Sequence, residues 1–307
     1  MGIKILRTGL PVIGYAKIGE ATPKDSKLKG APRKFDHIEL TGTLRDDVGR
    51  LIPDRELMRR VIAGGVTTCG GCERSKDLGF PGGLPRALGV YLPYDDADLN
   101  LTNRLAYYKS RTAYCVGDGE KAQRLTITGQ RKTDRGDVPV YGPAKPHSPC
   151  GPACADFQSR ACKPNGKLRF VLGIQESVGG VFEFRTTSWN SIANLSESLA
   201  MIATATGGIL QWVPLLFEVT PQTVQPMGGG AASTAFIARI TFPGGPQALI
   251  EVAHKQLAAR APVLAQIRHL EASIRTGEQW QETEEEVAAV EVAEVVVEFK
   301  ASKPAKW

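Results

Sequence analysis

The sequence lacks a long apolar segment and an apolar N-terminal leader. No run of residues approaches the roughly 18 consecutive apolar positions that a membrane-spanning helix needs. The first seven residues are basic and interrupted, and Leu6 stands where a myristoylation motif requires Ser or Thr. These features predict a cytoplasmic protein that has no membrane partner.

The sequence also contains little of what the common enzyme classes require. Its four histidines are isolated from one another. It has no Gly-x-Ser-x-Gly, no Walker loop, no His-Glu-x-x-His and no Rossmann glycine pattern. We therefore predict that the protein is not an enzyme.

What is present is an ordinary globular composition with an uneven distribution of charge. Of the 307 residues, 42% are hydrophobic and 23% are charged, which suits one large domain or two modest ones. The formal net charge is +6, although the segment after residue 275 is strongly acidic. A basic body with an acidic tail is common in proteins that meet nucleic acid. A solvated surface with a solubilising tail would produce the same pattern.

Three of the six cysteines lie close together, at Cys150, Cys154 and Cys162, among glycines and prolines. Few apolar side chains are available to hold residues 150–167, which we expect to form a loop. Clustered cysteines in a chain without an export signal indicate metal or redox chemistry rather than disulfides. Zinc prefers four such ligands, and we favour Cys115 as the fourth. A closed set of four is structural, because catalysis needs an open position.

Two rival ligand sets remain open. Cys69 and Cys72 form a CxxC pair, typical of a zinc-knuckle half-site, which could join two of the later cysteines. Alternatively, His147 is the fourth ligand. The glycines between Cys69 and Cys72 argue against the helix that a thioredoxin-like site opens at its first cysteine. His37 alternates with apolar neighbours, which predicts a residue on a strand face rather than a ligand.

A basic and aromatic set of residues is the predicted nucleic-acid or partner surface. The polar segment 21–34 is the densest basic patch and could grip phosphates. Tyrosines interleaved with basic residues at 105–115 could form a base-stacking platform, although aromatic residues in a strand are more often core. The predicted set is Lys24, Lys27, Lys29, Arg33, Lys34, Tyr107, Tyr108, Lys109 and Arg111.

The hydrophobic patterns predict an α+β fold. A β-rich, zinc-stabilised N-terminal and middle part is followed by a β-β-α-β-β unit and by a C-terminal helix with an acidic tail. The predicted divisions are 1–165 for the basic zinc-binding region, 166–245 for the β-β-α-β-β unit, 246–275 for the helix and 276–307 for a flexible tail. Ser188 or Thr187 is expected to cap the helix of the unit, and Pro262 to kink the C-terminal helix. Residues 132–145 are expected to form a loop.

Three stretches occur in an order that resembles a known family. They are Cys115-Val-Gly-Asp-Gly-Glu-Lys-Ala-Gln-Arg, then Cys150-x-x-x-Cys154 followed by Cys162-Lys-Pro-Asn-Gly-Lys-Leu, then Gly180-Val-Phe-Glu-Phe-Arg-Thr-Thr-Ser-Trp-Asn-Ser-Ile. Together with Pro32-Arg-Lys-Phe-Asp-His, they resemble the phage recombination directionality factor-like family, whose bacterial relatives are often labelled "hydrolase or metal-binding protein". The resemblance covers roughly residues 1–245.

The resemblance implies a non-enzymatic accessory factor of a phage or mobile element. Members of that family bind a large serine integrase on DNA and switch it from integration towards excision. By position, the resemblance implies that Cys115, Cys150, Cys154 and Cys162 are a zinc site. The Cys69–Cys72 pair departs from the simpler members, so a second or shared metal site stays open.

The expected partners are therefore a large serine integrase, DNA or both, and self-association is a further alternative. One alternative function is a single-stranded-DNA-binding or annealing protein that uses base stacking and phosphate contacts. Another is a zinc-dependent hydrolase with an open site of three cysteines and a water molecule.

Overall fold

The computed structural model describes residues 10–20, 33–47, 49–109, 112–133, 136–224 and 232–281. It divides into two compact units. Unit 1 comprises Met1–Asn103 and Pro164–Arg275, and unit 2 comprises Arg104–Lys163 and Thr276–Trp307. The fold is mixed α+β, as predicted. The four-part division expected from the sequence stays a prediction.

The described residues form strands and helices in the following order along the chain. The strands are β1 (Val12–Glu20), β2 (Arg33–Arg45), β3 (Leu51–Pro53), β4 (Ala87–Tyr91), β5 (Leu101–Lys109), β6 (Thr112–Gly117), β7 (Ala122–Thr133), β8 (Gly136–His147), β9 (Cys162–Leu172), β10 (Val181–Thr186), β11 (Leu215–Val224) and β12 (Ser233–Thr241). The helices are α1 (Arg55–Ala63), α2 (Glu73–Asp77), α3 (Ala97–Asn100), α4 (Ala155–Gln158), α5 (Trp189–Ala205), α6 (Pro246–Arg260) and α7 (Leu264–Gln281), with a 3₁₀ turn at Ala261–Val263.

Unit 1 is built on mixed strand pairing. Strand β1 pairs in parallel with β10 and antiparallel with β2. Strand β10 continues antiparallel to β9, while β3 lies on the other side of β2. Strand β4 pairs with both β9 and β11, and β11 pairs along its length with β12. The predicted order of two strands, one helix and two strands is found in β9, β10, α5, β11 and β12.

The core of unit 1 follows directly from the spacing of its apolar residues. In β9, every second residue from Leu168 to Leu172 is almost fully buried. Helix α5 buries Ile192, Leu195, Leu199 and Ile202, which the helical repeat places on one side. Phe217 packs against Phe170 and Phe184, with ring centroids 5.5 Å and 4.9 Å apart. Burial of each such side chain contributes roughly 1.5–3 kcal/mol.

The helix ends follow the capping residues in the sequence. Ser188 caps α5 by accepting a hydrogen bond from the backbone N–H of Ser191, as predicted. Asp54 caps α1 in the same way through Leu57. Pro262 lies in the 3₁₀ turn that separates α6 from α7, so the predicted interruption is confirmed. None of the helices in the described part of the chain combines the length and the apolar character of a membrane span.

The C-terminal helices of unit 1 are held by a buried ion pair. Arg260 at the end of α6 pairs with Asp95, and each side chain is 10% exposed. Asp95 also accepts hydrogen bonds from the backbone N–H groups of Leu210 and Gln211. Glu271 in α7 accepts one from the backbone N–H of Asp95. Asp95 therefore connects residues that lie far apart in the sequence.

Unit 2 is an antiparallel succession of β5, β6, β7 and β8. Strands β7 and β8 form a long hairpin whose register runs from Ala122 opposite His147 to Thr133 opposite Gly136. The prediction of a loop at 132–145 is therefore wrong. Strand β8 stands at the end of the strand order, and an edge strand tolerates proline because one side of it needs no N–H donors.

The expectation that residues 150–167 form one loop is also wrong in part. Helix α4 occupies Ala155–Gln158, and β9 begins at Cys162. Residues 150–154 and 159–161 lie outside helices and strands. The end of the segment, from Cys162 onwards, is held by the apolar residues of β9. The spacing of the cysteines did not predict this strand.

Candidate metal centres

The four cysteines predicted as ligands line one small pocket in unit 2. Cys115 lies in β6, Cys154 caps α4, and Cys162 begins β9. Cys115 and Cys154 are buried, whereas Cys150 and Cys162 are partly exposed. The fold thus brings together thiols that are separated by up to 47 positions in the sequence.

A close backbone contact shapes this pocket. Gly151 has a φ of +83°, which favours glycine. A Cβ atom at this residue would also lie 2.8 Å from the carbonyl oxygen of Gly119. The turn between β6 and β7 therefore packs directly against the segment that contains Cys150. A residue without a side chain is needed at position 151 for this approach.

His147, the rival fourth ligand, reaches the same pocket. Its Nε2 atom lies 3.9 Å from the Sγ atom of Cys154. Together with Asp156, these residues form a group whose ligand atoms all lie within 4.8 Å of one another. Asp156 is paired with the guanidinium of Arg124. The pocket therefore offers one imidazole in addition to the four thiols.

The surroundings of Cys162 and Cys115 disfavour a negative charge on either sulfur unless a cation is bound. Burial, with the charges of the other three thiols and Asp156, raises the pKa of Cys162 to about 11. Burial also raises the pKa of Cys115, although Arg124 beside it acts in the opposite direction. Zinc binds deprotonated sulfur ligands in this kind of closed set. Thiol and imidazole donors are of the type that zinc binds, but the four sulfurs are not placed at ligand distance from one another: among the described residues, the ligand atoms of this pocket that all lie within 4.8 Å of one another belong to His147, Cys154 and Asp156.

A second group of ligand atoms lies in unit 1. It consists of Asp36 and His37 on β2 and of Cys69 and Cys72 in the turn before α2, and all four ligand atoms lie within 4.8 Å of one another. The sequence identified the two cysteines, but it placed His37 only on a strand face. His37 does lie in a strand, and it is buried. Its Nδ1 atom nevertheless lies 3.6 Å from the Sγ atom of Cys72.

Backbone donors favour the thiolate of Cys69. Burial raises the pKa of this thiol, but hydrogen bonds from the backbone N–H groups of Cys72, Leu84 and Gly71 outweigh it and lower the pKa to about 7. The N–H of Leu84 lies 3.3 Å from the sulfur. A thiolate held by backbone donors is ready to bind a metal or to react. Helix α2 opens at the second cysteine and not at the first, as the glycines predicted.

The residues predicted to bind nucleic acid or a partner fall into separate groups. Lys24, Lys27, Lys29 and Arg111 lie outside the described residues. Arg33 begins β2, and Lys34 next to it is exposed. Their role in binding stays a prediction.

The tyrosines of unit 2 form a cluster with cations. The rings of Tyr107 and Tyr114 meet edge to face at 5.7 Å, and Tyr141 lies 6.2 Å from Tyr114. The ammonium of Lys109 lies 3.9 Å from the centre of the Tyr114 ring. Tyr108 is 42% exposed. Lys109 therefore covers one ring of the cluster, and the predicted stacking platform stays a prediction.

Fold and sites together define a mixed α+β protein with two groups of potential metal ligands. A family model described as Gp3-like, recombination directionality factor-like, matches residues 13–243 of this chain. The chain therefore belongs to that family, and the resemblance seen in its motifs is confirmed. Both ligand groups lie within the matched region. No curated protein and no solved structure matches the chain.

Proposed function

We propose that this chain is a non-enzymatic accessory factor that binds a large serine integrase on DNA and favours excision over integration. The observation that carries the proposal is the family match over residues 13–243, because the family is described by recombination directionality. The same match supports a role in DNA recombination in a phage or another mobile element.

The charge of residues 104–163 supports a partner that is DNA or a protein bound to DNA. Residues 104–163 contain eleven lysines and arginines against five acidic residues. Arg131, Lys132 and Lys145 are exposed on the β7–β8 hairpin. Exposed cations attract phosphates over long range and speed encounter with an acidic partner. The hairpin was not among the surfaces that the sequence indicated.

The apolar residues of the same hairpin support contact with a protein. Ile127 is 47% exposed and Val140 is 43% exposed, on two paired strands. Contiguous exposed apolar patches are typical of interaction surfaces, whereas single exposed apolar residues are ordinary, so the support depends on these two side chains acting together. We propose that the β7–β8 hairpin contacts the integrase while its cations lie near DNA.

We further propose that Cys115, Cys150, Cys154 and Cys162 bind a structural zinc ion. This pocket is lined by His147, the last residue of β8, and by Cys150 in the turn that follows. A metal bound there would connect the base of the hairpin to β6 and β9. When bound, zinc supplies no reaction in this proposal; it stabilises the arrangement of these strands.

A recombination assay with purified proteins tests the proposed function. The cognate integrase is incubated with plasmids that carry either the integration pair or the excision pair of attachment sites, with and without this protein. We expect recombination of the excision pair to appear only when the protein is present, and recombination of the integration pair to decrease. No change in either reaction would overturn the proposal.

Two further measurements separate the alternatives. Salt-sensitive binding to single-stranded oligonucleotides in the absence of integrase, without any effect on recombination, would favour an annealing protein. Turnover of phosphoester substrates that stops when zinc is removed would favour a hydrolase.

A further inference from the structure

We infer that Asp36, His37, Cys69 and Cys72 form a second zinc centre, separate from the cysteine pocket of unit 2. All four residues belong to unit 1. The inference does not depend on the recombination function, because it rests on the distances and contacts of these side chains alone.

Two of the distances between the ligand atoms match those of a tetrahedral zinc site. With Zn–S bonds of about 2.3 Å and Zn–N bonds of about 2.0–2.1 Å, two sulfurs lie about 3.8 Å apart, and a sulfur and a nitrogen about 3.6 Å apart. The Sγ atoms of Cys69 and Cys72 are 3.7 Å apart. Cys72 Sγ and His37 Nδ1 are 3.6 Å apart. Both distances match one tetrahedral ion, and the ligand atoms of Cys69 and His37 lie within 4.8 Å of each other.

Asp36 is oriented to provide the fourth ligand. Its Oδ1 atom lies 3.1 Å from His37 Nδ1, close to the separation of about 3.4 Å expected for oxygen and nitrogen ligands of one zinc ion. Its other oxygen, Oδ2, is held by the guanidinium of Arg86. Arg86 also donates a hydrogen bond to the backbone oxygen of Asp36. The carboxylate is thus fixed with one oxygen turned towards the other ligands.

The contacts around His37 select the nitrogen that would bind the metal. Its Nδ1 atom faces the cysteines, while its Nε2 atom lies 3.8 Å from a carboxylate oxygen of Glu39. Arg74 holds Glu39 through two hydrogen bonds of 2.6 Å and 3.0 Å. A ligating histidine commonly directs its other N–H towards a carboxylate, which fixes the ring and its tautomer. In His37 the carboxylate of Glu39 is on the correct side of the ring, but 3.8 Å is longer than a hydrogen bond, and Nε2 has no hydrogen-bond partner among the described residues.

The backbone of the turn that contains Cys69 and Cys72 is held in its conformation by close contacts that do not involve a metal. Gly70, Gly71 and Gly83 have φ values of +74°, +94° and +100°, in the region that favours glycine. A Cβ atom at Gly83 would lie 2.7 Å from the backbone nitrogen of Gly70. The turn that contains Cys69 and Cys72 therefore packs tightly on the segment before β4. Zinc bound here would attach that turn to β2.

The experiment measures zinc in the full chain, purified without chelators from cells grown with added zinc. Elemental analysis gives the zinc content per chain. We expect Cys72→Ser to lose about one equivalent relative to the parent protein. Asp36→Asn should weaken zinc retention against a competing chelator. The matched control is Asp77→Asn, which makes the same change at an exposed residue of α2 and should retain zinc like the parent.

A second variant separates this centre from the cysteine pocket. We expect a protein in which Cys115, Cys150, Cys154 and Cys162 are all changed to serine to retain about one zinc equivalent. X-ray absorption of that ion should show two sulfur and two nitrogen or oxygen neighbours. Loss of all zinc from a variant that remains folded would overturn the inference, even if the unit 2 site is real.

Two other results would also overturn it. One is a parental zinc content in Cys72→Ser. The other is a Cys69–Cys72 disulfide in the freshly purified parent protein, detected by mass spectrometry without reduction, because the same thiols cannot bind zinc. If neither serine variant folds, the zinc content and X-ray absorption of the parent decide together: a shell of sulfur alone or a single zinc equivalent contradicts the inference, and two equivalents with a mixed shell support it.

Discussion

The Sγ atom of Cys150 lies against the backbone of Gly117, so closely that a Cβ atom at residue 117 would come within 2.5 Å of the sulfur. The same Cβ atom would lie 2.6 Å from the backbone oxygen of Lys121. Gly117 ends β6, two residues after Cys115. Cys150 can therefore reach the thiol pocket only because residue 117 lacks a side chain.

The first prediction concerns this contact. Gly117→Ala should displace Cys150, reduce the zinc bound by unit 2 and destabilise the protein by about 1–3 kcal/mol, as overpacking does. Zinc analysis and thermal unfolding measure the two effects. The control is Gly129→Ala in β7, where an added Cβ meets nothing within 4 Å. Parental zinc content and stability in Gly117→Ala would show that the pocket adapts and that the contact is unimportant.

The second prediction concerns the cysteine quartet. Cys154→Ser should lower the bound zinc and the melting temperature together, because the free energy of metal binding also stabilises the fold. Cys72→Ser serves as the comparison, since it should lose the zinc of unit 1 and keep that of unit 2. If Cys154→Ser binds zinc and unfolds like the parent, the quartet is wrongly assigned.

The third prediction concerns the basic residues at the start of β2. Replacement of both Arg33 and Lys34 by alanine should weaken binding to DNA or to the integrase–DNA complex. It should also reduce the slope of log K against log salt by up to about 1 per lost phosphate contact. Arg59→Ala is the control, because Arg59 is an exposed cation of α1 that pairs with Glu56. An unchanged slope would identify Arg33 and Lys34 as ordinary surface residues.

The fourth prediction concerns pH and the buried Glu183. Burial raises the pKa of this carboxyl, but the nearby cations of Arg185, Arg169 and Lys167 outweigh it and hold the pKa below its usual range. A lowered pKa in the folded state stabilises the protein above the unfolded pKa of about 4.3. This contribution is lost as the pH falls through the folded pKa.

Glu183→Gln should therefore cost about 2 kcal/mol at neutral pH, less than a fully buried pair because Arg185 is half exposed. The difference from the parent should shrink as the pH falls below about 4. Denaturant unfolding over a range of pH measures it. Glu197→Gln, on the exposed side of α5, should differ little from the parent. A deficit in Glu183→Gln that is the same at every pH would contradict the electrostatic explanation.

The sequence by itself determined the features that depend on neighbouring residues. Ser188 and Asp54 begin helices because their side chains accept hydrogen bonds from residues three positions later. Pro262 interrupts the C-terminal helix because it lacks an N–H donor. The order of the motifs around Cys115, Cys150 and Cys162 identified the family. All of these signals are local, or depend only on order along the chain.

The tertiary structure decided which distant residues meet. Nothing in the alternation around His37 distinguishes a core histidine from a metal ligand, and only the packing of the Cys69–Cys72 turn on β2 supplies the thiols. Similarly, prolines such as Pro139 and Pro143 are locally typical of a loop, yet both lie in β8. This strand is at the edge of its sheet, where one side of the strand needs no N–H donors. Strand pairing joins residues far apart in sequence, so the positions of strand edges and metal ligands follow from the fold and not from local composition.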